Sequence, residues 1–172
     1  MRIRAMAMAV LAWMMAGPAM AASPVAPACA AGMVCANNPD TVVNALLAHG
    51  FRAQLTRQPG KPPQITSAAN GYNFDIFFEG CKEGQGCSSL NFWVSFSKDP
   101  TNSVDLANEW NSKKRFSTMS FDKSDGSLAI SYDVTTVGGL NAENFDDVID
   151  WWASLMGAAR KFFADHPAAK AP

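Results

Sequence analysis

The side chains of this 172-residue chain whose types and spacing could do chemistry are four cysteines, two histidines and two groups of carboxylates. The cysteines form two pairs, Cys29 with Cys35 and Cys81 with Cys87, each with five residues between its members. Four cysteines allow three connectivities, and adjacency favours the local one. The alternative is a four-thiolate zinc site, but paired zinc ligands usually stand about two to four residues apart. His49 precedes Gly50 and His166 precedes Pro167, so both fall at the ends of expected helices. There an imidazolium suits the negative pole of the helix, and a general base is the competing reading. Asp122 and Asp125 lack the following acidic ligands of a calcium loop and read as a polar turn before Gly126. Glu143, Asp146, Asp147 and Asp150 gather where the last helix should start, which its dipole explains; a cation site is the alternative. No Gly-x-Ser-x-Gly elbow, His-Glu-x-x-His pair or phosphate-cradling loop occurs. The sequence therefore offers no catalytic residue, no metal set and no cofactor.

The elements that must position these groups are framed first by bulk composition. With 48% hydrophobic residues the chain can fill one core. Fourteen Lys and Arg against fifteen Asp and Glu lack the basic footprint of a nucleic-acid binder. Residues 1–21 read as an export signal: Arg2 and Arg4 are followed by the apolar stretch Ala5 to Ala16 and the cleavage site Ala19-Met20-Ala21. The stretch is short for a membrane span, so none is expected after cleavage, and the compartment is periplasmic or secreted. An oxidising compartment disfavours free thiolates, which again supports disulfides over zinc.

Residues 22–38 read as an Ala- and Pro-rich tether, 39–165 as a single domain and 166–172 as a disordered tail. Asn38 and Pro39 open a helix with the stripe Val42, Val43, Leu46 and Leu47, which Gly50 ends. A strand over Phe51 to Thr56 and a short one around Ile65 follow, closed by Asn70-Gly71. Two runs of period two, from Tyr72 and from Leu90, flank the cysteine loop as a hairpin. With Cys81 opposite Cys87, Phe78 faces Leu90 and Ile76 faces Phe92, so the apolar residues share one side. A short helix with Leu106 and Trp110 comes next, then strands Phe116 to Phe121 and Leu128 to Val134, the earlier more polar and suited to an edge. A long helix to Asp165 carries Phe145, Ile149, Trp152 and Met156 as its core stripe. Trp151, Ala158 and Phe162 widen that stripe, as if a second helix or another subunit covered it. The fold class is α+β with an antiparallel sheet, in the order helix, four strands, helix, two strands, helix.

Binding is hinted by aromatics on surfaces that should be polar. Phe77 and Trp93 lie on the polar side of the hairpin, and with Trp151 and Phe162 they are the candidate partner-binding residues. Asn108-Glu109-Trp110-Asn111 sets an indole among polar neighbours; packing of Trp110 on the sheet, with the asparagines bonding backbone groups, is favoured over a recognition surface.

Gly80-Cys81, Cys87-Ser88-Ser89-Leu90, the run Asn108 to Asn111, Arg115-Phe116 and the late Trp-containing helix resemble the YbjN family of bacterial sensory-transduction regulators. The likeness spans about Pro39 to Phe163, and the Asn-Glu-Trp-Asn run is its most specific part. The resemblance implies a fold like that of type III secretion chaperones, which commonly dimerise, and a non-enzymatic interaction or regulatory role. The export signal and paired cysteines depart from a cytoplasmic chaperone. The reading is an exported protein-interaction module, with homodimerisation a further expectation. The alternative is a periplasmic carrier or sensor of an apolar small molecule held among Phe74, Phe92, Phe96, Trp110 and Trp152.

Overall fold

The computed structural model describes residues 28–167. The expected signal segment 1–21, residues 22–27 of the expected tether and residues 168–172 lie outside the described residues. Helix α1 (Pro39–Ala48) begins with proline at its first turn and buries Val42 and Leu46. Asn38 stands at its N-cap but makes no side-chain cap bond. Thr41 instead ties the entry down, its Oγ1 accepting from the Cys35 amide at 3.0 Å. Strand β1 (Gln54–Thr56) is shorter than the alternation from Phe51 suggests, and β2 (Gln64–Ala69) follows it. The turn to β3 (Tyr72–Glu79) uses Asn70 at φ 50° and Gly71 at φ 87°. Positive φ at both central residues is the hairpin geometry that an Asn-Gly pair adopts most readily. Strand β4 (Ser89–Phe96) then leads to helix α2 (Val104–Lys113), capped by the Ser103 side chain on the Leu106 amide. Strands β5 (Thr118–Phe121) and β6 (Leu128–Thr135) precede helix α3 (Ala142–Asp165), whose Asn141 side chain caps Asn144.

The element order and the α+β class agree with the sequence reading. All strands join one antiparallel six-stranded sheet in the order β1-β2-β3-β4-β6-β5. The hairpin register is the one the cysteines specify, with Phe78 opposite Leu90 and Ile76 opposite Phe92. Cys81–Cys87 closes that hairpin and Cys29–Cys35 a second local loop; no free cysteine remains. The polar strand β5 is indeed an edge, with β1 at the other.

The core lies between one face of the sheet and the helices. Trp152 of α3 meets Phe74 of β3 at 5.5 Å and Phe92 of β4 at 5.6 Å between ring centres. Phe163 meets Phe96 at 4.6 Å. Burying such rings removes large apolar areas from water and is the main favourable term holding α3 on the sheet.

Two expectations change here. The last residues of the expected tether are folded: Val34, Cys35 and Ala36 are buried. Val34 exchanges both backbone bonds with Leu140, at 2.8 and 2.9 Å, and the Ala36 amide donates to Thr136 Oγ1 at 2.9 Å. Gly139 makes this approach possible, since a Cβ there would stand 2.6 Å from the Met33 side chain. Residue 166 of the expected tail likewise belongs to the fold. His166 caps α3, its ring 4.5 Å from that of Phe162 and its Nε2 3.2 Å from Glu109 Oε2.

Candidate functional site

The Asn108 to Asn111 run resolves into structural roles, residue by residue. Trp110 is fully buried and donates from Nε1 to Ser117 Oγ at 3.1 Å, while its ring meets that of Phe162 at 5.4 Å. Asn111 clamps the edge strand: its Nδ2 donates to the Met119 carbonyl at 3.0 Å, and its Oδ1 accepts from the Met119 amide at 2.7 Å. One side chain thus supplies the donor and the acceptor that an added strand would bring to Met119. Glu109 accepts from Lys113 at 2.7 Å and reaches His166, tying α2 to the end of α3. The Lys113 hydrogen bond, with smaller help from His166, holds its carboxyl below the usual glutamate value. Asn108 is exposed and its side chain bonds none of the described residues, so the expectation that both asparagines bond backbone groups holds there for Asn111 alone.

The four candidate partner-binding residues do not form one surface. Phe162 is only 8% exposed and wedged between Trp110, Phe163 and His166. It is a core residue of the α2–α3 junction, because α2 covers the flank of α3 that the wide apolar stripe left over. Trp151 is 38% exposed and contacts Phe116, 47% exposed, at 5.0 Å. Phe116 holds a φ of 64°, an outlier for a bulky residue, and the Arg115 guanidinium lies 4.8 Å from its ring centre. Sequence reasoning placed Phe116 at the start of a strand and missed this pairing; no local signal brings residue 116 to residue 151.

Phe77 and Trp93 behave as the alternation demands. Both are half-buried on the face of the sheet opposite the helices, where the helix-facing rows of Phe74, Ile76, Phe78, Leu90, Phe92 and Val94 are buried. A recess of about 360 Å³ opens there, lined by Thr66, Asn73, Asp75, Phe77, Trp93 and Ser95 with the backs of Phe74 and Val94. Asp75 stands directly across from Trp93 and accepts from Thr66 Oγ1 at 2.8 Å. Asp133 of β6 accepts from Asn91 at 2.7 Å on the same face. The β4–β6 pairing that brings Asp133 here joins strands separated by a helix and another strand, so no hairpin signal announced it.

The titratable groups singled out in the sequence are absorbed by packing. His49 bridges α1 to α3, with Nε2 2.9 Å from Asp150 and Nδ1 3.3 Å from Asp146. Asp122 accepts from the Ser124 amide and hydroxyl in the β5–β6 turn, which lowers its pKa. Tyr132 is raised, chiefly by burial and next by Asp147. No group of His, Cys, Asp and Glu among the described residues is arranged to hold a metal ion. The rings that suggested an apolar-ligand site pack on one another: Phe74, Phe92 and Trp152 in one cluster, Phe96 on Phe163, and Trp110 on Phe162. Among the described residues no helix is long and apolar enough to cross a membrane.

Comparison with known proteins follows the same lines. No curated protein matches the chain. Among solved structures it is similar to the crystal structure of YbjN, "a putative transcription regulator from E. coli", at a TM-score of 0.49 and 12% identity, covering 75% of this chain and 95% of that one. The family model YbjN, described as "Putative bacterial sensory transduction regulator", matches residues 38–164. That match takes in α1, the whole sheet, the Asn108 to Asn111 run and nearly all of α3, and the chain belongs to the YbjN family.

Proposed function

We propose that this chain is an exported, non-enzymatic interaction module that regulates by docking a protein partner on the open sheet face around Phe77 and Trp93. The observation that carries this reading is the pair of aromatic side chains in a recess of the sheet face whose other outward side chains are Asn, Asp, Ser and Thr. Large rings held at a water-facing surface gain when a partner covers them, and such residues are favoured anchors in protein interfaces. The family's description as regulators supports a role without catalysis. The signal-like sequence of residues 1–21 and the two disulfides support an envelope or secreted location. Association between copies through another surface is the alternative that the same measurement detects.

The test is association measured on folded variants. Phe77→Ala and Trp93→Ala should keep cooperative unfolding and weaken a crosslinked complex, in envelope extracts or between copies, by tenfold or more, as expected for interface anchors at about 1.4 kcal/mol per decade. Unchanged association in both variants would remove the face from the function. Fractionation tests the compartment separately: recovery only in the cytoplasm, with four alkylatable thiols, would overturn export. The carrier reading draws no comparable support, since the rings that motivated it fill one another's space.

A further inference from the structure

The six strands carry three charged residues, Asp75, Glu79 and Asp133, and all three are carboxylates. Their register puts them on one face, the open one, together with Phe77 and Trp93: Asp75 is paired with Trp93, Asn91 with both Phe77 and Asp133, and Glu79 shares the parity of Asp75. Of the cations that flank β1, Arg57 pairs with Asp40 and the Arg52 guanidinium is held by Asn73, which lines the recess. The recess itself is lined by one carboxylate, two aromatic rings and small polar side chains.

From this arrangement we infer that the open face selects a cationic segment of a protein partner, an arginine above all, laid over Trp93 with Asp75 as its counter-charge. An indole is the best of the aromatic faces for a cation, which it attracts within about 6 Å of the ring centre. Asp75 stands across the strand pair from that indole, and its side chain is oriented by Thr66 at 2.8 Å. A carboxylate fixed beside an aromatic plane suits a guanidinium, which can stack on the ring and hydrogen-bond in the same plane; an ammonium can do only part of this. A neutral segment closing over the face would strip water from Asp75 and Asp133 without returning a charge, and an acidic one would be repelled. Asp133, held by Asn91 at 2.7 Å, offers a second cation position two strands away from Asp75.

The inference rests on the interaction reading above and names the chemistry of the partner. Calorimetric titration of the chain with three peptides matched in length, rich in arginine, glutamine or glutamate, tests it. The arginine peptide should bind, more weakly as salt rises, and the other two should not. Asp75→Asn, which keeps the shape and the Thr66 contact, should weaken that binding about tenfold, and Trp93→Leu by a similar factor. Glu143→Gln, which removes a carboxylate from the far helix, should leave it unchanged. Equal binding of the three peptides, or an equal loss with Glu143→Gln, would overturn the inference. If a partner crosslinks at Trp93 through a neutral or acidic segment, the interaction reading stands and this inference falls. If nothing crosslinks there and no peptide binds, both fall.

Discussion

At the scale of single residues, Trp110 and Asn111 of the Asn108 to Asn111 run build the fold. Asn111 gives Met119 the two bonds that a neighbouring strand would otherwise give, and Asn111→Ala should lower the unfolding free energy by about 2 kcal/mol in urea titration. Asn111→Asp keeps the acceptor and loses the donor, so it should fall between the two. A null effect of both would mean that solvent serves Met119 equally well. Ser67 gives the opposite expectation. It is fully buried and its Oγ has no hydrogen-bond partner among the described residues. Ser67→Ala should therefore leave stability unchanged or raise it by about 1 kcal/mol, and a loss above that would reveal a bond to the hydroxyl. The placement of Trp110 in the core was legible from its helical spacing. The clamp on Met119 was not, because Asn111 bonds across to the following strand and its sequence context offers only a helix end.

At the scale of elements, the hairpin β3–β4 was readable almost in full, since period-two alternation and a symmetric cysteine loop each point to the same register. The two signals are separable. Cys81→Ser/Cys87→Ser should cost about 2 kcal/mol, as expected for opening a short loop, while β3 and β4 keep their pairing because Ile76, Phe78, Leu90 and Phe92 still demand it. Amide exchange in the hairpin would check this, and a shifted protection pattern would show that the disulfide alone sets the register. The boundaries of β1 and β5 were less legible: alternation around residues 51–56 and 116–121 suggested longer strands than the sheet pairs. At Phe116 the reason is specific, since a positive φ takes the ring out of the pleat and onto Trp151. The role of Val34 to Ala36 was hidden by composition, because Ala and Pro enrichment resembles a linker until Leu140 comes alongside.

At the scale of the whole molecule, acid should loosen the structure through identified carboxylates. The pKa of Glu109 is lowered chiefly by its hydrogen bond from Lys113, that of Asp99 by Thr101, that of Asp122 by Ser124 and that of Asp165 by Lys161. A folded-state pKa below the unfolded value adds stability that is complete above the unfolded value and is lost as pH falls through the folded one. The reference values are 4.5 for Glu109 and 3.8 for the aspartates, so stability should hold near neutrality and decline below about 4.5. In Glu109→Gln the decline should start lower and be shallower; a variant that follows the wild-type curve would show that other groups govern acid unfolding.

The whole molecule also explains why its chemistry was hard to read. Charges that looked suited to a site, at His49, Asp146 and Asp150, serve to fasten α1 to α3. Rings that looked suited to a ligand fill the core. What stays open among the described residues includes the exposed pair Trp151 and Phe116 and one face of the sheet, where alternation marked Phe77 and Trp93 and pairing across the sheet added Asp133.

That face is tested most directly by a photo-crosslinking amino acid placed at Trp93 in the producing cell, with the same group at exposed Leu47 on α1 for comparison. A discrete adduct with a partner is expected from position 93 and not from position 47. Identical patterns at the two positions, or no adduct at 93, would contradict this expectation.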